Sequence, residues 1–278
     1  MPQPSRFFHG SAIFVRGWTT TVVERIQQST QAGLLRPARK LGLAIASRWP
    51  WPVAVRTKTG QRMFVDLRSA IGRALFMKGE FDPAVFDPIR AALKPGGTFL
   101  DVGANIGYYS LLALDIVGPS GQVHGFEIDR RPARCLRRTA AAYGLQNLFL
   151  HEIAIGDREG PARLSLGSES GHSRVSHNGE GVSVPMRTLD SWRAASGVQK
   201  IQAVKLDIEG GELWALKGAQ RLLREERPVL VCEVFEGLEP RPGHQRDELL
   251  SLLREFNYHL AALEGVCSPT VVARPLSR

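Results

Sequence analysis

The chain has 278 residues, 43% hydrophobic and 23% charged, a balance that suits one large globular domain with an appendage and excludes disorder along most of its length. Its net charge of +9 is uneven: residues 1–60 hold nine Lys or Arg against Glu24 alone, whereas the remainder holds 27 bases and 26 acids. The main body is therefore near neutral, which argues against a domain built to grip nucleic acid.

Two amphipathic helical patterns open the chain. Val15, Trp18, Val22 and Ile26 share one face of the first, and Leu34, Ala38, Leu41 and Ile45 share one face of the second. Their basic residues suit either an anionic membrane surface or an acidic protein contacted through residues 1–48, or a solvated face on a helix packed against the main domain. The Trp-Pro-Trp-Pro run at 49–52 stops any helix and reads as a linker. The expected organisation is a basic helical arm over 1–52 and a main domain over 53–278.

Val53–Val55 and Met63–Val65 flank Thr59-Gly60 as a short hairpin. A helix follows over Pro83–Leu93, with Asp82 as its cap and Pro83 at its first position. Beyond it, strands at Thr98–Val102, Gln122–Glu127, Leu148–Ile153, Ala203–Asp207 and Val229–Glu233 alternate with helices at Ile106–Val117, Pro132–Tyr143, Gly211–Leu223 and Asp247–Phe256. That rhythm predicts an α/β fold: a doubly wound, mostly parallel sheet with helices on both faces. Pro161–Arg187, rich in Gly and Ser with two short β-like pieces, reads as an insertion at the sheet's rim. No apolar run approaches the roughly 20 residues that span a bilayer. Cys135, Cys232 and Cys267 show no metal or disulfide spacing. With no apolar leader at the N-terminus, these features point to the cytoplasm.

The run Phe99-Leu-Asp101-Val-Gly103-Ala104-Asn105-Ile-Gly107 is a strand, a glycine-bearing turn and a helix start. Glycines allow a sharp turn and close ligand approach, and the helix N-terminus offers free N–H groups. Glu127 ends the second strand twenty residues on, where an acid accepts both hydroxyls of a ribose. Asn105 stands where a dinucleotide fingerprint wants a second glycine to admit a pyrophosphate. Asp101 at the strand tip suits a ligand bearing an ammonium and a sulfonium better than one bearing two phosphates. S-adenosylmethionine fits these residues, and NAD fits poorly.

Asp101-Val-Gly-Ala-Asn-Ile-Gly107 together with Val204-Lys-Leu-Asp207-Ile-Glu209-Gly210 resembles the FkbM family of methyltransferases. Gly79-Glu80-Phe81, Ala154-Ile-Gly-Asp157 and Arg187-Thr-Leu-Asp190 add to the resemblance, which covers about residues 75–240. The first motif is shared widely among methyltransferases; the second is specific. The resemblance implies a class I (Rossmann-like) methyltransferase fold and O-methylation of a sugar, glycan, lipid or polyketide-type metabolite. It further implies that Asp101, Gly103, Ala104, Asn105 and Gly107 surround the methionine part and Glu127 the ribose. Ala154 to Asp157 would hold the adenine edge, with Glu80 and Ile128 completing the cofactor site.

If the first and fourth strands are neighbours, the tip at Lys205-Leu-Asp207-Ile-Glu209 meets the reactive methyl. Lys205 and Asp207 share one strand face, and a Lys inside an apolar strand needs a partner, either Asp207 or Glu233. Asp207 can orient the acceptor hydroxyl and take its proton, or be a structural partner of Lys205. Glu209 can do the same, or cap the helix starting at Gly211. Asp207, Glu209 and Lys205 are thus the candidate catalytic residues. Asp207, Glu209 and Glu233 could converge on a metal, though nothing in the spacing requires one. His172 in the rim insertion reads as a base or a solvated loop residue, His151 as a core histidine, and Trp192 and Trp214 as packing residues. The rival readings are an NAD-dependent oxidoreductase, a non-catalytic cofactor-binding scaffold, and an RNA methyltransferase. The last lacks an aromatic and basic stacking surface.

Overall fold

A computed structural model of the chain describes Gln27 and residues 51–167, 173–176, 180–234 and 246–277. The two N-terminal helices expected from the sequence, apart from Gln27, lie outside the described residues, as does His172. Gln27 itself is buried, with its side-chain amide bonded to the backbone of Arg56 in both directions (2.7 and 2.9 Å).

The domain begins with an antiparallel hairpin, β1 (Val53–Arg56) and β2 (Arg62–Val65), joined through a turn at Thr57–Gly60. Helices α1 (Ala70–Lys78) and α2 (Pro83–Ala92) follow. Then come β3 (Thr98–Val102), α3 (Tyr108–Val117), β4 (Gln122–Phe126), α4 (Arg130–Tyr143) and β5 (Leu148–His151). The rim contributes β6 (Ala154–Ile155), β7 (Gly160–Ser165), β8 (Arg174–Ser176) and β9 (Val182–Arg187). The second half is α5 (Leu189–Ser196), β10 (Ile201–Leu206), α6 (Glu212–Lys217), α7 (Gln220–Glu225), β11 (Val229–Glu233), α8 (Arg246–Glu255), β12 (Tyr258–Leu263) and β13 (Thr270–Pro275).

Seven strands form the main sheet in the order β12-β13-β11-β10-β3-β4-β5. The inner strands pair in parallel, and β13 runs antiparallel to both β11 and β12. The chain winds outward from β3 to β5, then returns to lay β10 on the other side of β3. That reversal is the switch point at which doubly wound sheets bind ligands.

Side chains alternate across the sheet as the pleat requires. Phe99 and Ala203 enter the core layer with α1, α2 and α3, while Leu100, Val102, Val204 and Leu206 enter the layer with α5 to α8. Asp101 and Lys205 therefore share the first face. They are also register partners, so the two charges meet inside the protein.

Several sequence expectations need correction. The strand expected over Leu148–Ile153 ends at His151, and β6 joins a separate four-stranded sheet ordered β6-β9-β7-β8. The insertion thus forms three strands rather than two. The helix expected over Gly211–Leu223 breaks at Gly218, where an added Cβ would lie 2.1 Å from the Gly156 carbonyl oxygen. Close approach of two chain segments, with Asp190 N–H donating to the Gly218 carbonyl, ends the first helix there. Asp82 does not cap α2 with its side chain; its carboxylate accepts from Cys267 N–H at 2.7 Å, tying α2 to the β12–β13 connection.

Candidate active site

The glycine turn after β3 is built on three residues at positive φ: Gly103 at 81°, Asn105 at 52° and Gly107 at 82°. A side chain on Gly103 would lie 1.8 Å from the Asp207 carbonyl oxygen, so the turn presses directly on the tip of β10. Gly107 is needed for another reason, since its Cβ would strike Leu136 of α4. Asn105 takes the left-handed conformation that Asn tolerates better than most residues.

Glu127 stands at the tip of β4 and lines the cavity above the turn. Its carboxylate accepts from Asn105 N–H at 2.9 Å and from Asp129 N–H at 2.6 Å. Burial pushes its pKa up to about 7, against the lowering effect of those two donors. Each carboxylate oxygen keeps a lone pair for a ligand hydroxyl.

Asp101 lies beneath the turn. It is fully buried, accepts from the Ser110 hydroxyl at 2.6 Å, and forms no part of the cavity wall. Burial raises its pKa, with Lys205 and Ser110 opposing. Lys205 stands 3.0 Å from Asp207 and 3.7 Å from Asp101, and its ammonium also donates to the Gly103 carbonyl at 3.2 Å. Burial works against that charge, but Asp207 and Asp101 outweigh it and hold the lysine above its ordinary value. Of the two partners foreseen for Lys205, Asp207 makes the close contact; Asp101 was not foreseen.

Asp207 lines the cavity with its side chain 41% exposed, so it can meet a ligand while gripped from behind by Lys205. Glu233, at the tip of the neighbouring β11, faces Asp207 across the cavity wall, and its buried Oε2 has no hydrogen-bond partner among the described residues. Burial, then the neighbouring charge of Asp207, push its pKa up to about 9, so Glu233 carries its proton at neutral pH. Glu209 also lines the cavity but does not cap the next helix. Glu212, the first residue of that helix, instead braces the loop before it, accepting from Ile208 N–H at 2.8 Å and Gly210 N–H at 3.2 Å.

The turn, Glu127, Lys205, Asp207, Glu209 and Glu233 face one cavity of about 770 Å³, large enough for a nucleoside and part of a second molecule. Gly103, Ala104, Asn105, Glu127, Ile128, Ala154 and Asp157 line it, together with Lys205, Asp207 and Glu209. Glu80 lies outside it, ion-paired with Lys58, and Gly107 and Asp101 sit behind its wall. Sequence reasoning missed Asp129, Tyr109 and Ser268 on this wall. Asp129 caps α4 and also accepts from the Ser173 hydroxyl of the rim at 2.7 Å, a link between distant segments that no local pattern announces. Trp192 packs edge-on against His124, Phe126 and His151, as a packing residue should. Burial lowers the pKa of His151 and lowers that of His124 to about 4, which keeps this pair neutral. Trp214, by contrast, lines the cavity. Among the described residues no cluster of three His, Cys, Asp or Glu is placed to hold a metal.

The acids gathered at the strand tips beside the turn suit a ligand carrying positive charge, and Glu127 suits a ribose. The buried Oδ1 of Asn105 has no hydrogen-bond partner among the described residues and can serve a donor on such a ligand. S-adenosylmethionine fits this donor set. Sheet order, glycine turn and strand-tip acids together define a class I S-adenosylmethionine-dependent methyltransferase.

The Methyltransferase FkbM domain matches residues 101–260, and the chain belongs to that family. It is 26% identical over 171 residues to the 2-O-methyltransferase NoeI of Sinorhizobium fredii, covering 53% of this chain and 69% of that protein. It is 28% identical over 177 residues to a probable cobalt-precorrin-6B C(15)-methyltransferase (decarboxylating) of Saccharolobus solfataricus, covering 61% and 85%. The crystal structure of methyltransferase FkbM from Methylobacillus flagellatus superposes with a TM-score of 0.46 at 19% identity. That match covers 87% of this chain and 60% of the other. No helix among the described residues is long and apolar enough to cross a membrane.

Proposed function

We propose that the protein transfers a methyl group from S-adenosylmethionine to a hydroxyl of a sugar, glycan, lipid or polyketide-type metabolite. The observation that carries this reading is Asp207, a carboxylate on the cavity wall beside the glycine turn, held from behind by Lys205 at 3.0 Å. The 2-O-methyltransferase named among the relatives supports oxygen as the receiving atom.

Bound S-adenosylmethionine supplies a methyl already activated as a sulfonium, so the protein's work is alignment, exclusion of water and proton removal. Gly103, Ala104 and Asn105 hold the methionine part, with Asp101 and Gly107 fixing the turn from below. Glu127 takes the ribose hydroxyls, and Ile128 and Ala154 to Asp157 take the adenine edge. Asp207 orients the acceptor hydroxyl and takes its proton, Lys205 holds Asp207 in place, and Glu209 provides a second contact to the acceptor. Glu80 acts at most through Lys58.

Residues 53–278 form the catalytic domain, and the basic stretch over 1–52 is a separate appendage to it. Within that stretch, Gln27 hydrogen-bonds the Arg56 backbone. The protein acts in the cytoplasm, with the arm's basic residues available to an anionic membrane surface or an acidic protein. Full-length protein incubated with methyl-labelled S-adenosylmethionine and panels of glycans, lipids and RNA tests the reading. Label fixed as an ether on a glycan or lipid supports it; label appearing only in RNA, or only on carbon, overturns it.

A further inference from the structure

Strands β10 and β11 pair in parallel with Leu206 level with Cys232, so the next residue on each, Asp207 and Glu233, emerges side by side at the cavity. Two carboxyls this close cannot both ionise at neutral pH at ordinary cost, because each charge raises the energy of the other. Their surroundings sort them. Asp207 has the Lys205 ammonium at 3.0 Å and a side chain open to the cavity. Glu233 is largely enclosed, and its buried Oε2 has no hydrogen-bond partner among the described residues. Among the described residues, the charged and titratable groups facing Glu233 are Lys205 on β10, Asp207 just beyond its end, Glu212 on α6 and Cys232 beside it.

We propose that Asp207 and Glu233 form a carboxyl pair that holds one proton between them, with Glu233 the positioning residue that fixes the Asp207 carboxylate towards the acceptor's hydroxyl. The assignment builds on the methyl-transfer reading by naming what sets the charge and direction of its proton acceptor. Glu233 donates its proton to Asp207, and Lys205 grips the same carboxylate from below. The two contacts leave Asp207 little rotational freedom. The pair and the lysine together are near neutral, which lets the site hold an uncharged hydroxyl without a stranded charge.

Difference infrared spectroscopy on the full chain carrying carbon-13-labelled glutamate, with no cofactor or acceptor added, tests this directly. Its outcome is therefore independent of whether methyl transfer is the reaction. The expected result is a protonated-carboxyl band at neutral pH that titrates away near pH 9 and is missing in Glu233→Gln. In Asp207→Asn, which removes the neighbouring charge, the midpoint of that band falls by one pH unit or more. A wild-type spectrum without the band at neutral pH, a band unchanged in Glu233→Gln, or a midpoint unmoved by Asp207→Asn overturns the proposal. Far-ultraviolet circular dichroism confirms that both variants retain the fold before the spectra are compared.

Discussion

The Asn105 amide donates to the Glu127 carboxylate across 2.9 Å, so the glycine turn and the tip of β4 form one hydrogen-bonded unit around the cofactor position. Replacing Glu127 by Ala removes the ribose acceptor and frees the turn. Hydrogen bonds to a charged group contribute about 1.5–3 kcal/mol each, so the loss in S-adenosylhomocysteine affinity is about 100-fold or more. The carboxyl sits near 7, and only its ionised form accepts from both hydroxyls. Affinity therefore weakens as pH falls below that value, by up to about tenfold per unit, and Glu127→Ala loses this dependence. Isothermal titration across pH reads both effects.

Lys205 offsets two carboxylates from inside the sheet, and taking it away strands them. Lys205→Met, which keeps most of the volume, costs about 3–5 kcal/mol, as expected when one partner of a buried ion pair is removed. Adding Asp101→Asn to that variant restores part of the loss, because Asp101 is the fully buried partner. Chemical denaturation of the two variants and the wild type provides the comparison. Equal stability of Lys205→Met and the wild type would contradict the pairing.

Asp207 divides binding from turnover. Its side chain lines the cavity at the tip of β10 while Glu127 lines it at the tip of β4, so Asp207→Asn leaves S-adenosylhomocysteine affinity within a few-fold. Loss of a general base slows turnover by about 10²–10⁴-fold once an acceptor is in hand. A fall in kcat with cofactor Kd preserved is the expected pattern. A large loss of cofactor affinity would move Asp207 from the acceptor side to the cofactor side.

Glu233 links pH to stability. Its pKa is near 9 when folded against an ordinary value of 4.5, so across that window the folded state binds more protons than the unfolded one. The contribution is full below the unfolded value and is lost as pH rises through the folded one. Relative to Glu233→Gln, the wild type loses stability from about pH 5 to pH 9, by up to about 1.4 kcal/mol per unit at the steepest. Parallel denaturation curves over that range would refute it.

Much of this was legible because local and global signals agreed. The apolar runs at Thr98–Val102 and Val229–Glu233 lie where the strands are, and the Asp101–Gly107 and Lys205–Glu209 segments meet at the switch point. Two missed helices carried readable ends. Ser69 and Gly79 bracket α1, and Thr188 and Gly197 bracket α5, each with a capping hydroxyl and a left-handed glycine. The β12–β13 hairpin was missed because β13 inserts antiparallel between β11 and β12, a pairing no local periodicity encodes. Asp101 was expected on the cavity wall because it ends a strand at the turn. The pleat instead turns it inward to Lys205 and Ser110, a direction fixed by neighbours distant in sequence. Glu233 gained its role the same way, since only the β10–β11 register sets it beside Asp207.

Isothermal titration of the full chain with S-adenosylmethionine, S-adenosylhomocysteine and NAD tests the central claim most directly, with Glu127→Ala and Asp207→Ala measured alongside. The expected result is binding of the first two ligands only, lost in Glu127→Ala and largely kept in Asp207→Ala. Binding of NAD, or of none of the three, would contradict it.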